Sequence, residues 1–211
     1  MKELIHIEIN ENKWDKWAKS YDGKGWRYIY LRKCQSGVVS LLDIKESICV
    51  LDIGCGTGWA LGQIAKLVDG KGSFYGIDLS AKMIEKAKEN FKEQKQFQFM
   101  KANAESIPLE DNKFDVIICT NSFHHYLNPD KALKEMYRLL KAEGKVYILD
   151  PTVDMWILKI VSKLIKLLDP SQVKLYSTKE FKELIIGSGL MYVGRRKIRM
   201  QQKVHMGEKR L

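Results

Sequence analysis

The middle of the chain alternates short apolar runs with longer segments in which apolar residues recur at helical spacing. Five runs rich in β-branched and aromatic residues predict strands, at 48–53, 73–79, 96–102, 114–120 and 145–150. Three intervening segments predict helices, at 59–68, 80–91 and 129–141. Ser80 suits the N-cap of the second helix, and Pro129 suits the first turn of the third. Strict alternation of strand and helix favours a parallel, doubly wound α/β sheet.

The last part of the chain departs from this alternation. Residues 155–168, MWILKIVSKLIKLL, predict a helix with a wide apolar face and regularly placed lysines. That face suits a lid over a hydrophobic acceptor, an anionic membrane surface or plain packing on the sheet. A further helix is predicted at 178–189, and strand-like runs at 190–198 and 201–207 lie close enough to pair as a hairpin. Because a short connection cannot make a parallel crossover, the last strand should run antiparallel to the others.

A chain of 211 residues is long enough for one well-buried domain. We expect a helical N-terminal cap over 1–47 and a cofactor-binding core over 48–151. A helical insert or lid is expected over 152–177, and a last helix with a C-terminal hairpin over 178–211. The predicted fold class is α/β and Rossmann-like, with seven mostly parallel strands and the last strand antiparallel.

The loop after the first strand, VLDIGCGTG (50–58), carries the strongest chemical signal. The dinucleotide fingerprint is G-x-G-x-x-G, whose last glycine allows close packing under a pyrophosphate. Trp59 stands at that last position, and its indole would crowd a pyrophosphate. S-adenosylmethionine (SAM) has no phosphate, and Asp52 could meet the ammonium of its methionine end. Asp78, at the end of the second strand, would accept hydrogen bonds from the ribose of either cofactor.

Four stretches together resemble class I SAM-dependent methyltransferases of the type-11 branch, which includes the ubiquinone/menaquinone-type C-methyltransferases. They are VLDIGCGTG, GIDLS (76–80), ANAESIPLEDNKFDVI (102–117) and EMYRLLKAEGKVYILDP (135–151). The resemblance covers about 48–151 and extends more loosely to 12–22 and to the final hairpin. It implies a seven-stranded fold, SAM as cofactor and S-adenosylhomocysteine as product.

The resemblance also implies a cofactor site. Its residues are Tyr21, Asp52, Gly54, Cys55, Gly56, Gly58, Asp78, Leu79, Met83, Asn103, Ala104, Glu105 and Asn121. The glycine loop would hold the methionine end, Asp78 the ribose, and Leu79 and Met83 the adenine, while Tyr21 would close over the cofactor. Relatives often have Asp where this chain has Asn103, and a Pro-Gly turn where it has KAEG (141–144).

The methyl acceptor would approach near the end of the fourth strand, in TNSFHHYLNP (120–129). Either His124 or His125 could act there as a general base, with His125 preferred, because an imidazole titrates near neutral pH. The alternative is a turn histidine bonded to backbone, with its neighbour exposed. Neither N-P-P-Y nor D-P-P-Y follows the strand, and Cys119 is not in a Pro-Cys pair, which disfavours amide, adenine and covalent cytosine methylation. A small acceptor, partly hydrophobic or anionic, is therefore expected.

The net charge of +10 is concentrated at one end, since residues 153–211 carry 13 Lys/Arg against 5 Asp/Glu. This basic end raises nucleic acid as a partner, although aromatic residues are sparse there. An NAD(P)-binding oxidoreductase and a non-catalytic SAM-binding protein remain as alternatives. Widely spaced cysteines and histidines predict no metal site. No apolar run approaches the roughly 20 residues of a membrane span, and the first residues lack a signal-peptide pattern, so we expect a soluble, cytoplasmic protein.

Overall fold

The structure is a computed structural model that describes residues 2–23, 25–44, 47–155, 169 and 171–210. The strands of this part of the chain are β1 (Ile48–Ile53), β2 (Gly72–Asp78), β3 (Phe97–Lys101), β4 (Phe114–Thr120), β5 (Leu140–Pro151), β6 (Met191–Arg199) and β7 (Gln202–Glu208). Its helices are α1 (Lys2–Ala18), α2 (Trp26–Val39), α3 (Trp59–Leu67), α4 (Ala81–Asn90), α5 (Pro129–Leu139), α6 (Thr178–Gly187) and a short 3₁₀ helix, η1 (Phe123–His125). The helix predicted at 155–168 lies outside the described residues except for Met155.

The described strands form one sheet in the order β3-β2-β1-β4-β5-β7-β6. The central strand β1 is parallel to both β2 and β4. Only β7 runs antiparallel to its neighbours, β5 and β6, within this sheet. The predicted doubly wound sheet with an antiparallel last strand is therefore confirmed. The strand order reverses between β1 and β4, so the carboxyl ends of these two strands border the crevice where ligands bind in such folds.

Side chains alternate across β1 and fill two separate hydrophobic layers. Val50 packs into the layer that also contains apolar residues of α2, α3 and α4. Leu51 and Ile53 point to the other face, into the layer that contains residues of α5 and α6. Both faces of the parallel strands are thus covered by helices, which explains why their sequences are apolar throughout.

Three helix starts agree with the sequence. The Ser80 hydroxyl caps α4 by accepting a hydrogen bond from the Met83 N–H at 3.1 Å. Pro129 occupies the first turn of α5. The cap of α6 is Ser177, one residue before the predicted start of that helix, and it forms a capping box with Glu180.

The KAEG stretch (141–144) belongs to β5, which begins earlier than the predicted strand at 145–150. Glu143 there has φ = 63°, and its N–H donates to the Lys209 carbonyl at 2.7 Å. The neighbouring strand β4 shifts register between Phe114 and Val116 against this segment. The departure from a Pro-Gly turn is therefore absorbed by a local irregularity, far from the carboxyl ends of the strands.

Two helices occupy the segment predicted to form an N-terminal cap. Hydrogen bonds and ion pairs join α1 to distant parts of the chain, through Lys13 to Asp169 at 2.5 Å and through Glu11 to Lys101. Asp15 accepts hydrogen bonds from the Ser80 hydroxyl at 2.5 Å and from the Lys82 N–H at 3.2 Å, at the start of α4. Among the helices that the structure describes, none is both long and apolar enough to cross a bilayer.

Candidate active site

The glycine loop between β1 and α3 has a backbone that other residues adopt only with strain. Gly54, Gly56 and Gly58 have φ angles of 75°, 53° and 81°, all left-handed. A Cβ on Gly54 would lie 2.3 Å from the Ser122 hydroxyl oxygen, and a Cβ on Gly58 would lie 2.9 Å from the Phe99 ring. The sequence therefore needs glycine at both positions for conformation and for space.

Asp78 holds this loop in place. Its carboxylate accepts hydrogen bonds from the Gly56 N–H and the Ser80 N–H, both at 2.9 Å. Burial raises the pKa of Asp78, and the two N–H donors oppose that rise. Asp78 thus joins the glycine loop to the start of α4, a structural role that the sequence did not reveal. Its predicted contact with a ribose is compatible with these bonds, because each oxygen can accept a second donor.

Asp52 is a buried carboxylate that lacks a donor. It is 0% exposed, and within the described chain neither carboxylate oxygen has a hydrogen-bond partner. Burial raises its pKa to about 8, Asp78 adds to the rise, and Arg32 opposes it. An ionised carboxylate that is buried without a partner is costly. A ligand with a cationic group beside Asp52 would therefore be bound favourably. The ammonium of an amino-acid moiety fits that requirement.

One cavity collects most of the residues that the sequence singled out. It lies at the carboxyl ends of β1, β2 and β4 and is covered by α1. The predicted residues that line it are Tyr21, Gly54, Gly56, Asp78, Leu79, Met83, Asn103, Ala104, Glu105, Asn121 and His125. Four others are absent from the lining: Asp52, Cys55, Gly58 and His124. The Cys55 side chain packs in the hydrophobic layer under α3, so any contribution of this residue to the cavity comes from its backbone.

His125 ends η1 and faces the cavity. Its Nδ1 lies 2.8 Å from the Ser171 carbonyl, which only accepts, so Nδ1 carries the hydrogen and Nε2 keeps a lone pair. The ring meets Trp14 edge-on, with centroids 5.4 Å apart, and lies 4.1 Å from the His124 ring. Burial, with a smaller contribution from His124, holds the pKa of His125 well below its usual range. His125 is therefore neutral at physiological pH, and its Nε2 keeps a lone pair.

His124 has a different environment. Its Nδ1 lies 2.9 Å from an Asp150 carboxylate oxygen, and its carbonyl accepts the Val173 N–H at 2.9 Å. Asp150 is fully buried; burial raises its pKa and the neighbouring His124 opposes the rise. The sequence did not decide between the two histidines, and the structure places them differently. His125 lines the cavity, and His124 pairs with the buried Asp150.

The wall opposite the glycine loop comes from α1, which sequence reasoning missed. The residues of this helix that line the cavity are Glu3, His6, Ile7, Asn10 and Trp14. Their spacing of three or four residues marks one face of a helix. The helix is fixed by hydrogen bonds from its own side chains: His6 Nε2 donates to the His125 carbonyl at 2.8 Å, and the Asn10 amide donates to the Ser171 carbonyl at 3.3 Å.

Arg32 of α2 is a second residue that the sequence did not single out. Its guanidinium, only 8% exposed as a residue, forms an ion pair with Asp22 at 2.5 Å. It lies 4.8 Å from the centroids of both the Tyr28 and the Trp59 rings. Trp59, which argued against a pyrophosphate, therefore packs against an arginine.

Across residues 2–23, 25–44, 47–155, 169 and 171–210, no group of three or more His, Cys, Asp or Glu side chains is arranged to hold a metal ion. The four cysteines are free, and three of them are buried. Burial raises the pKa of Cys119 at the end of β4, so this thiol is protonated.

Comparison with known proteins shows similarity to methyltransferases. A family model described as a methyltransferase domain, Methyltransf_11, matches residues 51–148. A demethylmenaquinone methyltransferase of Lactobacillus johnsonii is 33% identical over 129 residues, or 60% of this chain and 50% of the relative. An uncharacterized methyltransferase, YcgJ of Bacillus subtilis, is 32% identical over 165 residues, or 72% of this chain and 62% of the relative. The chain thus spans between half and two thirds of the length of these curated relatives.

Solved structures show the same fold at lower sequence identity. A chain in the complex between the Haloferax volcanii Trm112 methyltransferase activator and a putative methyltransferase superposes with a TM-score of 0.82. The two chains are 18% identical, and the match covers 94% of this chain and 98% of the other. The YcgJ structure from Bacillus subtilis gives a TM-score of 0.74 at 21% identity, covering 85% of this chain and 99% of YcgJ.

The fold and the loop at its switch point define a Rossmann-like domain of the kind that binds a nucleoside cofactor. Within that class, residues 51–148 are a methyltransferase domain of the class I, SAM-dependent, type-11 branch. SAM is the cofactor of this family.

Proposed function

We propose that the protein transfers the methyl group of SAM to a small, uncharged, partly apolar acceptor. One observation carries the proposal. A single cavity brings together the left-handed glycine loop, Asp78 and a neutral imidazole, His125, whose Nε2 can accept a proton. Beside that cavity, the unpaired carboxylate of Asp52 offers a place for an ammonium group.

The cofactor would lie along the carboxyl edge of β1 and β2. Asp52 and the backbone of the glycine loop would hold the methionine end, and Tyr21 would cover it. Asp78 would bind the ribose, and Leu79, Met83 and the Asn103–Glu105 segment would surround the adenine. When bound, SAM supplies a methyl group already activated by its sulfonium, so the protein's task is to position the acceptor, exclude water and take up a proton.

The lining of the cavity argues for an uncharged acceptor. Its charged residues are Glu3, Asp78 and Glu105, and none of the described lining residues is Lys or Arg. An anionic acceptor would meet acids and no cation there. Ile7 and Trp14 of α1, with Leu127, supply apolar surface to the cavity. Relatives named demethylmenaquinone methyltransferase and ubiquinone/menaquinone C-methyltransferase suggest a reduced quinone as the first acceptor to test.

His125 would act as the general base. The bond from Nδ1 to the Ser171 carbonyl fixes the tautomer, and the Trp14 ring limits rotation of the imidazole. The acceptor oxygen or carbon would bond to the methyl group in line with the breaking methyl–sulfur bond, S-adenosylhomocysteine would leave, and the acceptor's proton would pass to Nε2. His124 stands outside the cavity and would not touch the acceptor.

Cofactor identity is tested first, by calorimetry and thermal shift with SAM, S-adenosylhomocysteine, NAD⁺ and NADP⁺. A ligand at a hundred times its Kd stabilises the fold by about 2.7 kcal/mol, which is visible as a melting shift. We expect a shift with SAM and S-adenosylhomocysteine that the Asp78→Ala change weakens. A shift with the nicotinamide cofactors alone would refute the proposal.

Transfer is tested with methyl-labelled SAM and three kinds of acceptor: a reduced demethylmenaquinone analogue, a carboxylated analogue of it, and an RNA oligonucleotide. We expect label in the uncharged quinol and none in the other two. The exposed Arg195, Arg196, Lys197 and Arg199 keep nucleic acid as the second candidate, but β6 is the outermost strand and is three strands away from β4. Label in RNA would favour that candidate, and binding of SAM without any transfer would favour a non-catalytic role.

A further inference from the structure

We propose that Arg32 is a positioning residue for the cofactor: it holds three walls of the cavity together around the methionine end of SAM. This inference rests on the proposed function. Arg32 is absent from the lining of the cavity, and neither the family resemblance nor the spacing of the sequence marks it.

Three bonds of the guanidinium connect separate parts of the chain. Nη2 donates to Asp22 at 2.5 Å and to the Thr57 hydroxyl at 3.4 Å, and Nη1 donates to the Gln35 side-chain oxygen at 2.9 Å. Gln35 in turn donates to the Thr120 hydroxyl at 3.2 Å. Arg32 therefore joins the segment before α2, the glycine loop and the end of β4.

Each of those three parts contributes a residue to the cavity. Tyr21 precedes Asp22, Gly56 precedes Thr57, and Thr120 itself lines the cavity. Thr57 also donates directly to Asp22 at 2.9 Å, so the segment and the loop are joined twice. Tyr21 consequently lies against the loop: a Cβ on Gly56 would be 3.3 Å from the Tyr21 ring.

The positive charge of the guanidinium also opposes the raised pKa of Asp52. Its planar fork is needed, because three acceptors and three aromatic rings, one of them Tyr21 with its centroid 5.8 Å away, surround it in fixed directions. The Nε atom of Arg32 is buried and has no hydrogen-bond partner among the described residues, so the arrangement keeps this cation in place at a cost. A buried cation with an unsatisfied N–H, placed beside the part of the site that would take the charged end of the cofactor, indicates a role in binding.

The test compares two nucleosides that differ in the methionine end. S-adenosylhomocysteine contains the amino-acid moiety, and 5′-methylthioadenosine lacks it. In calorimetric titrations, Arg32→Gln should weaken S-adenosylhomocysteine about tenfold, the loss of one charge-assisted bond network, and should change 5′-methylthioadenosine by less than about twofold. The matched control is Arg196→Gln, an exposed arginine whose guanidinium contacts the Arg195 carbonyl.

A second variant, Asp22→Asn, keeps the experiment decisive if Arg32→Gln does not fold. It should weaken S-adenosylhomocysteine selectively as well, because Asp22 accepts the bond from Arg32. Where Arg32→Gln folds, the variant with both changes should lose no more than the larger single loss, because both act through one bond network. Equal weakening of both nucleosides, or additive losses, would overturn the inference while leaving the proposed function intact. If the wild-type protein binds neither SAM nor S-adenosylhomocysteine, the proposed function itself fails.

Discussion

Burial and neighbouring charges shift the pKa values of single residues in this site. Asp52 is an ordinary acid in sequence, yet the fold buries it beside Asp78 on β2 and Arg32 on α2, with Tyr21, Cys55 and Cys119 also close enough to interact electrostatically. The loop pattern predicted an acid near an ammonium. Only the fold shows that this acid is buried without a hydrogen-bond partner among the described residues, so that its ionised form is costly unless a cation lies beside it.

The raised pKa of Asp52 predicts a pH dependence of stability. The folded carboxyl titrates near pH 8 and the unfolded one near pH 4, so folding takes up a proton between these values. The free energy of unfolding should therefore fall as pH rises from about 4 to 8. Asp52→Asn removes this contribution. As pH rises, the free energy of unfolding of the variant should therefore increase relative to that of the wild type by on the order of 1 kcal/mol per pH unit.

Denaturant unfolding at several pH values between 5 and 8 checks this expectation. The same variant should bind SAM more weakly, because an amide cannot replace the carboxylate for an ammonium. Parallel stability curves for the two proteins across this range would show that Asp52 is ionised in the fold, against the expectation.

His125 gives a prediction about chemistry. Asparagine at this position can still donate to the Ser171 carbonyl through its amide, but it offers no basic nitrogen toward the acceptor. With an acceptor that must lose a proton, His125→Asn should lower kcat roughly 10²- to 10⁴-fold. The affinity for S-adenosylhomocysteine should stay within about twofold in calorimetry. Unchanged kcat in methyl-transfer assays would mean that the acceptor loses its proton to water or to another group.

What the sequence predicted at this scale was the local part of the site. The three glycines and Asp78 are read from one loop and one strand end, and His125 from the next loop. Arg32 and the Asp150 partner of His124 could not be predicted, because their roles depend on how α2 packs and on a pairing across 26 residues. Asp52 was predicted near the cofactor but does not line the cavity itself.

Among the elements, α1 determines access to the site. Its pattern of apolar positions is consistent with a helix, but not with a particular docking position. In the fold it covers the cavity and is fastened at Asp15 to the start of α4, next to Asp78. The same element therefore shapes the acceptor side and stands over the cofactor side, so we expect ligand and helix to stabilise each other.

Limited proteolysis tests this coupling. Asp15→Ala removes two acceptor interactions worth about 1 kcal/mol together, so transient opening of α1 should become about fivefold more frequent. Trypsin should then cleave at Lys13, Lys16 or Lys19 about fivefold faster, and bound S-adenosylhomocysteine should restore protection. Glu8→Ala, an exposed change on the same helix, serves as the control. Equal cleavage of all three proteins would show that α1 does not open as a unit.

The order and type of the helices and strands were predicted well because their periodicities are strong. The start of α6 at Thr178 was predicted correctly, whereas β5 begins at Leu140 and takes in the KAEG stretch before the predicted strand. This error has a local cause, because the irregular beginning of the strand is set by its partner β4 and by the Lys209 carbonyl.

At the scale of the whole molecule, segments near both ends of the chain reach the site. Near the beginning, α1 forms the cavity wall. Near the end, Gln202 at the start of β7 donates to the Asn121 side-chain oxygen at 2.8 Å. Asn121 lines the cavity with φ = 54°, a left-handed conformation. Its amide nitrogen is buried and has no hydrogen-bond partner in the part of the chain that the structure describes. The C-terminal hairpin, predicted only as an antiparallel addition to the sheet, thus also orients a cavity residue.

This convergence predicts how cofactor binding spreads through the fold. Hydrogen exchange with and without S-adenosylhomocysteine should slow at least about fivefold in three separated segments: residues 2–23, the 121–128 loop and the start of β7. Peptides from α5, which packs behind β4 and β5, should change little and serve as the internal control. The reason is that the cofactor would lie under α1, which lines the cavity, and would supply a partner for Asn121, whose side chain is hydrogen-bonded to Gln202 of β7. Protection confined to the glycine loop and to residues 78–83 would mean that the nucleoside binds without closing the ends of the chain over it.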